Sequence, residues 1–335
     1  MDGLCALLAL TLTLALTLSL AGCSTTAPTE PQTTPAATET AAPTEPVETK
    51  APETEAVAAL PTVDPSGATI TVPENIETIA VLSPTLAQEI IALGFGDKIV
   101  AHDLQSVGLE GLPECDVVVD FMQPDMEQLA ALNPDVMFVS AMTLYDQENP
   151  YQVLIDQGVC VICVPTSESI AAIKDDLTFM AAALGVPEKG EELISNMQAE
   201  IDKIAAIGAT ITEKKTVYFE ISPAPYMYSF GNGTFLNEMI ELIGAENVLA
   251  DQEGWLSVEA ESVVASNPDV ILTNVNYMEN PTDEIMAREG WADMTAVADK
   301  DVYYIDNMAS SSANQNIVTA MKQMAEAIYP EYYVK

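Results

Sequence analysis

The chain has 335 residues, 49% of them hydrophobic, which is enough to bury one or two sizeable cores. It carries 51 acidic and 11 basic side chains, a formal charge of −40 with histidine neutral. Because phosphate neutralisation needs clustered Lys and Arg, this composition argues against nucleic acid as a partner.

The N-terminal segment contains an apolar run that ends at a cysteine, in the sequence Leu20-Ala-Gly-Cys23. A hydrophobic stretch followed by small residues and then a cysteine is typical of a bacterial lipoprotein signal. A basic segment before the run is missing, since the first lysine is Lys50. We predict a signal peptide at 1–22 and a lipid on Cys23 that anchors the protein outside the cytoplasm, on the cell membrane.

Residues 23–66 are rich in Thr, Pro, Ala and Glu. Such a composition cannot bury a core, so we predict a disordered tether. Three parts are expected after it: an N-terminal α/β lobe at 67–186, a bridging helix at 187–211 and a C-terminal α/β lobe at 212–335.

Strands and helices alternate along the folded body. Apolar, β-branched runs predict strands at 69–72, 79–82, 98–101, 115–119, 159–164, 216–221 and 301–305. Helical spacing with start and stop signals predicts helices at 83–94, 167–184, 187–207, 234–243 and 316–328. The alternation favours parallel α/β sheets. The segment 222–233 is predicted to be a loop.

The sequence Asn-Pro-Asp-Val occurs twice, at 133–136 and at 267–270. Each copy is predicted to follow a short helix, at 126–132 and at 260–266, and to precede a buried strand. Both copies share an upstream glutamate and aromatic residue at six-residue intervals, Glu127 with Phe121 and Glu261 with Trp255. Self-similarity at a fixed offset indicates repeated architecture, here two similar lobes.

These pieces, in this order, resemble the class III solute-binding proteins of ABC importers, which take up iron–siderophore complexes, haem and cobalamin. The resemblance covers about residues 67–330. It depends on both Asn-Pro-Asp-Val copies and on Ile79-Ala-Val-Leu-Ser-Pro84, Ala92-Leu-Gly94, Gly290-Trp291 and Val302-Tyr-Tyr-Ile305. It implies two α/β lobes with mostly parallel sheets, bridged by one long helix, and a ligand cleft between the lobes.

The resemblance also implies roles for the repeated residues. Glu127 and Glu261 match positions that dock onto arginines of the membrane permease. Phe121 and Trp255 match positions where aromatic residues line the cleft, with core packing as the open alternative. The implied partners are the permease and its ATPase, with the binding protein acting as a monomer. One departure is Gln88, where the family usually carries a glutamate.

The amino-acid composition limits the chemical class of ligand that we expect. A bare Zn²⁺ or Mn²⁺ site needs several His and carboxylate ligands, and His102 is the only histidine. Anionic haem and catecholate siderophores are usually bound by the paired N–H donors of arginine. The only arginine, Arg288, is expected at a surface helix end. We therefore expect a corrinoid or a ferric siderophore that brings its own Co or Fe, with no metal or cofactor held directly by the protein. A haem-binding protein of the same fold and a non-transport sensor or adhesin stay open.

We expect the cleft to be lined by aromatic residues and methionines at loop ends, together with polar residues beside strand ends. The predicted lining is Ser83, Pro84, Thr85, Phe121, Ser140, Met142, Tyr226, Tyr228, Phe230, Trp255, Asn276, Tyr277 and Met308. Tyr145 shares the same pattern. Taken singly, each is better explained as a core or incidental surface residue, and only the set indicates a cleft.

The sequence gives little support to an enzyme. The chain has no Gly-x-Ser-x-Gly nucleophile elbow, and no Ser or Cys is placed beside His102 by sequence, so we expect no enzyme activity.

Cys160 and Cys163 lie three residues apart in a predicted strand and therefore point to opposite faces. We expect them to be buried apolar residues, not a metal or redox pair.

Overall fold

The structure is a computed structural model that describes residues 59–141 and 149–334. The predicted signal peptide, Cys23 and most of the predicted tether lie outside these residues. Ala56–Lys335 forms one compact unit. In the part of the chain that is described, no helix has both the length and the apolar character needed to cross a membrane.

The first half of the described chain forms an N-terminal α/β lobe around a five-stranded sheet. Its strands are β1 Ile79–Leu82, β2 Ile99–Asp103, β3 Val117–Val119, β4 Val136–Ser140 and β5 Cys160–Val164. All pair in parallel, in the order β3-β2-β1-β4-β5. Its helices are α1 Pro84–Ala92, α2 Met126–Leu132 and α3 Gln152–Asp156. The central strands are apolar throughout because helices cover both faces.

Two antiparallel helices connect this lobe to the second. They are α4 Ile170–Ala183 and α5 Pro187–Gly208. The first half of α4 packs into the core of the C-terminal lobe through Ile170, Ile173 and Leu177. Its second half packs into the N-terminal core through Met180 and Ala181. Helix α5 is the predicted long bridging helix, since Ile201 packs into the C-terminal core and Leu193 packs against both cores.

The second half of the chain forms a C-terminal α/β lobe. Its strands are β6 Thr216–Glu220, β7 Tyr228–Phe230, β8 Glu246–Asn247, β9 Trp255–Ser257, β10 Val270–Thr273 and β11 Val302–Tyr304. Strands β11-β10-β6-β8 form a parallel sheet, and β7 pairs with β9 as a separate antiparallel ribbon. Its helices are α6 Phe235–Ile243, α7 Ala260–Ser266, α8 Pro281–Ala287, α9 Thr295–Asp299, α10 Asn307–Ser311, α11 Ile317–Ile328 and α12 Pro330–Tyr333.

The repeated Asn-Pro-Asp-Val sequence has the same local structure in both lobes. Asn133 and Asn267 end α2 and α7 in the left-handed region, at φ 46° and 44°, which Asn adopts more readily than most residues. The aspartate two residues later accepts a hydrogen bond from a backbone amide at the start of the lobe's central strand. Asp135 accepts from the amide of Thr78 at 2.9 Å, and Asp269 accepts from the amide of Thr216 at 2.8 Å.

Replacing Asp135 with alanine is expected to lower the free energy of unfolding by about 1–3 kcal/mol. The substitution leaves the amides of Glu77 and Thr78 without their carboxylate acceptor. These hydrogen bonds also lower the pKa of Asp135 below its ordinary 3.8, and the bond from the Glu77 amide has the largest effect. Its contribution should therefore be lost as pH falls through that lowered value. Urea unfolding at pH 7 and pH 3 checks this, and equal losses at both pH values would contradict it.

Several predicted elements need correction. Residues 69–72 form no strand, only an isolated bridge from Thr69 to Val63. The predicted loop 222–233 contains β7. Arg288 does lie at a helix end, directly after α8, but it is not at the surface: its side chain is 9% exposed and forms an ion pair with Glu220. The interpretation of the two cysteines is correct, since Cys160 and Cys163 are buried in different clusters on opposite faces of the sheet.

Candidate functional site

The carboxyl ends of the strands in the two parallel sheets define the candidate site. In open α/β sheets, ligands bind in the crevice outside these ends. In the N-terminal lobe the ends lead into Ser83, Leu104 and Pro165. In the C-terminal lobe they lead into Ile221, and β10 leads into the segment 274–280. These segments contain Ser83, Tyr226, Asn276 and Tyr277 of the predicted lining.

Contacts between the lobes place these edges against each other. Asn314, in the segment after α10, donates through Nδ2 to the carbonyl oxygen of Thr85 at 3.1 Å and to Oε1 of Gln88 at 2.8 Å. On the other side, Trp255 Nε1 donates to Glu168 Oε2 at 2.8 Å. These contacts join the two lobes, and we call the space between the two edges the cleft.

The C-terminal lobe exposes three tyrosines on its side of the cleft. Tyr226 is 85% exposed, Tyr277 69% and Tyr228 37%. Tyr226 and Tyr277 belong to the segments after β6 and β10, and the hydroxyl of Tyr277 lies 3.5 Å from Oγ of Ser222. Large exposed rings at strand ends can stack on a bulky, partly apolar ligand.

The N-terminal lobe exposes apolar side chains at the matching edge. Leu104 is 55% exposed, Val107 63% and Met122 64%. They follow β2 and β3 directly. The sequence analysis missed all three because single apolar residues in polar loops are common on any protein surface. Their position at the carboxyl ends of the strands is visible only once the sheet order is known.

Phe121 and Trp255 take intermediate positions. Both are half-buried: Phe121 packs against the N-terminal core around Leu129, and Trp255 against the C-terminal core. The indole of Trp255 lies edge-on to Phe230 and Phe235, with ring centroids 6.1 and 6.2 Å away. Each ring is therefore anchored in its core and retains an exposed part.

Replacing Trp255 with alanine is expected to weaken solute binding and to lower stability together. The change removes the ring packing on Phe230 and the hydrogen bond to Glu168, which lies between β5 and α4. Trp255→Phe keeps an aromatic ring against Phe230 and removes the hydrogen bond. Solute titration and urea unfolding of both variants separate the two contributions, and an unchanged dissociation constant in Trp255→Ala would assign the ring to the core alone.

Phe230 does not belong to the lining. Its side chain is fully buried in the C-terminal core and packs on Phe219 with ring centroids 5.5 Å apart. In the sequence it lies in a Pro- and Gly-rich segment, which suggested a loop. It is instead the last residue of β7, where pairing with β9 turns it inward.

The remaining predicted lining residues occupy varied positions. Ser83 is buried, Asn276 is exposed, and the others are half-buried: Pro84, Thr85, Ser140 and Met308. Met308 Sδ accepts a hydrogen bond from Oγ of Ser312 at 3.4 Å. Met142 and Tyr145 lie outside the described residues.

Glu127 and Glu261 occupy equivalent places in the two lobes. Each is exposed in the first turn of its helix, α2 or α7. These helices start at the same edge at which the strands end, so both carboxylates lie on the side of the molecule where the cleft opens. The positive end of the helix dipole also favours an acidic residue in a first turn.

No lysine or arginine of the described chain lies in the segments that follow the strand ends. Arg288 comes nearest, since its guanidinium binds the carboxylate of Glu220, the last residue of β6, at 2.8 and 3.1 Å. It also binds Glu284 and lies 4.2 Å from the ring centroid of Trp291. Because its guanidinium already binds two carboxylates, Arg288 has no free pair of N–H donors for an anionic ligand.

Two carboxyl groups lie at the base of the cleft, where Glu89 is buried and Asp176 is half-buried. Burial raises the pKa of Glu89 well above its ordinary 4.5, and the nearby charge of Asp176 adds to the shift. The pKa of Asp176 is also raised, mainly by burial, although a hydrogen bond from Ser167 opposes this. Both residues line a small cavity together with Ser83, Thr85 and Ser140. The sequence analysis missed this pair.

The free energy of unfolding is expected to decrease as pH rises above about 4.5, because folded Glu89 keeps a proton that the unfolded chain releases. Its contribution is fully present below the unfolded pKa and is lost as pH rises through the folded pKa. The slope should approach roughly 1.4 kcal/mol per pH unit at most. Glu89→Gln should flatten it in urea titrations between pH 4.5 and 8, and an unchanged slope would contradict the burial of this carboxyl.

Comparison with known proteins gives the family. The periplasmic binding protein family matches residues 79–309, so the chain belongs to that family. Among curated relatives, the uncharacterized ABC transporter substrate-binding lipoprotein YvrC of Bacillus subtilis is 28% identical over 272 residues, covering 81% of this chain and 85% of the relative.

Two further comparisons involve proteins named for different ligands. The vitamin B12-binding protein of Yersinia pestis is 26% identical over 212 residues, covering 63% of this chain and 73% of that protein. The structure of the molybdate periplasmic binding protein MolA of Haemophilus influenzae superposes with a TM-score of 0.68 at 21% identity, covering 81% of this chain and 91% of that one. This last likeness shows the fold of two α/β lobes, and the predicted class III architecture is confirmed.

Proposed function

We propose that this protein captures a chelated metal complex in the cleft between its lobes and delivers it, chemically unchanged, to the permease of an ABC importer. The observation that carries the proposal is the set of exposed apolar side chains that both lobes place at their strand ends. A relative named as an ABC transporter substrate-binding lipoprotein and another named for vitamin B12 support the same function.

The lining favours a corrinoid or a ferric siderophore. Tyr226, Tyr277 and Met122 offer apolar and aromatic surface to a large solute. A small oxyanion such as molybdate, or an anionic haem, would need cationic donors, and Arg288 is already bound by two glutamates. The metal arrives with the solute, as Fe or Co. Among the described residues no group of three or more His, Cys, Asp or Glu could hold a metal ion.

The proposal extends to the location and partners of the protein. A lipid on Cys23 would hold it on the outer face of the cell membrane, and residues 23–66 would act as a flexible tether. Glu127 and Glu261 would orient the loaded monomer on the permease, whose ATPase supplies the energy for transport. Because α4 and α5 both bridge the lobes, closure around the solute would be small.

Titration of the purified protein with cobalamin, ferric hydroxamates and haem tests the proposal. Of the two tryptophans, Trp291 is buried while Trp255 is half-buried at the cleft. In a Trp291→Phe variant, quenching of indole fluorescence therefore reports on Trp255 alone. We expect saturable quenching by a corrinoid or a ferric hydroxamate with a dissociation constant of about 1 μM or lower.

Each other outcome has a definite meaning. Saturable binding of haem alone would favour the haem-binding alternative. Failure of all three classes to bind at roughly 100 μM, about −5.5 kcal/mol, would contradict the proposed solute class. A protein that binds a chelate but supports no uptake with any permease would be a sensor or adhesin.

A further inference from the structure

A small cavity lies at the base of the cleft, where the two lobes touch. Its walls come mainly from the strand ends and α1 of the N-terminal lobe, and Ala313 of the C-terminal lobe completes it. Its volume is about 30 Å³, which is room for one or two water-sized groups. Thr166 also lines it and is exposed, so the cavity reaches the surface beside this residue.

Glu89, which lines this cavity, is buried with an unsatisfied carboxyl oxygen. Its side chain is 1% exposed, and within residues 59–141 and 149–334 its Oε2 has no hydrogen-bond partner. Buried polar atoms in proteins nearly always have a partner, and a carboxyl oxygen without one is costly. The missing partner is therefore expected to come from outside the chain.

The other polar groups around the cavity are acceptors or hydroxyls. Asp176 accepts a hydrogen bond from Ser167 Oγ at 2.5 Å. Among the described residues, no Lys, Arg or His lines the cavity to neutralise the two carboxyls. A site of this size with two acidic groups and no cation suits a compact cation that carries several N–H donors.

Other small ligands fit less well. A tetrahedral oxyanion is larger than this space and would lie against two carboxyls. A divalent metal ion would require more ligands, and the described residues offer no group of three metal-binding side chains. A planar guanidinium exceeds the volume. A primary ammonium has the size of a water molecule, one positive charge and three donors.

We propose that the Glu89–Asp176 cavity binds a primary ammonium group carried by the captured solute. The inference rests on the proposed function, since it assigns the cavity to the base of the same cleft. It narrows the solute class to chelates with a pendant amine. The ammonium donates the missing hydrogen bond to Glu89 Oε2, and its positive charge lets Glu89 release to solvent the proton that it keeps when no cation is bound.

Equilibrium dialysis of radiolabelled methylammonium against the full folded protein tests this directly. We expect one saturable site that tetramethylammonium, which is larger and has no N–H donor, does not compete for. Glu89→Gln should weaken methylammonium binding roughly tenfold or more, because it removes a charge-assisted hydrogen bond. The control Glu191→Gln removes an exposed glutamate of α5 and should bind as the unmodified protein does. If Glu89→Gln does not fold, Asp176→Asn is the second test and should show the same loss.

The proposal is overturned if methylammonium shows no saturable site, if tetramethylammonium competes equally, or if Glu89→Gln binds with unchanged affinity. Any of these results would leave an ordered water as the partner of Glu89. The test uses no chelate, so the two proposals can fail separately. Chelate binding without methylammonium binding would refute the ammonium site alone, and the reverse result would refute only the chelate as solute.

Discussion

Replacing both Glu127 and Glu261 with alanine is expected to abolish solute uptake and to leave solute affinity unchanged. Both carboxylates are exposed at helix starts on the side where the cleft opens, and neither belongs to the lining described above. An exposed ion pair contributes only about 0.2–1 kcal/mol. We therefore expect the two glutamates to orient the protein on its permease and to speed the encounter, so losing both should matter more than either alone.

Uptake of a radiolabelled chelate by cells or proteoliposomes that contain the importer measures the first effect, and fluorescence titration the second. A matched control replaces Glu188 and Glu191, two exposed glutamates of α5, with alanine. This control has the same net charge and should transport normally. Loss of affinity in the Glu127/Glu261 variant, or equal loss of uptake in the control, would contradict the docking role.

Replacing Tyr226 and Tyr277 together with alanine is expected to weaken solute binding roughly 100-fold, from two aromatic contacts of about 1–1.5 kcal/mol each. Their rings are 85% and 69% exposed, so they have little packing within the protein to lose. The free energy of unfolding should therefore change by less than about 0.5 kcal/mol. This combination distinguishes them from Trp255, whose ring packs on the core.

Tyr332→Ala is the matched control for these tyrosines. Tyr332 is 40% exposed but belongs to α12 and stacks on Tyr329, away from the strand ends. Its replacement should leave the dissociation constant unchanged. If the double variant binds normally, the exposed tyrosines do not contact the solute, and the ligand would have to lie deeper or on the N-terminal lobe.

The parts of the fold that local chemistry determines could be predicted closely. The helices at 126–132 and 260–266 were placed to the residue. Each Asn-Pro-Asp turn contains its own stop signal, because Asn accepts a left-handed conformation and Pro prevents continuation of the helix. Strand β1 was equally clear because it is apolar on both faces, as expected for the centre of a parallel sheet.

The features that the sequence analysis missed depend on pairing between distant segments. Strand β7 is three residues long and exists through its antiparallel pairing with β9, which also buries Phe230. Arg288 lies 68 residues from its partner Glu220. Glu89 follows Gln88 in α1 and looks like part of a polar helix face, yet it is buried. None of these contacts produces a pattern within a short stretch of sequence, whereas Glu127 and Glu261 are marked by the repeated motif that contains them.

The central claim is that one solute contacts the strand ends of both lobes at once. Hydrogen–deuterium exchange with and without a chelate that saturates the protein tests this most directly. We predict slower exchange in 104–107 and 121–122 of the N-terminal lobe and, in the same sample, in 222–228 and 276–277 of the C-terminal lobe. Protection confined to one lobe, or found only outside these segments, would contradict a binding site between the lobes.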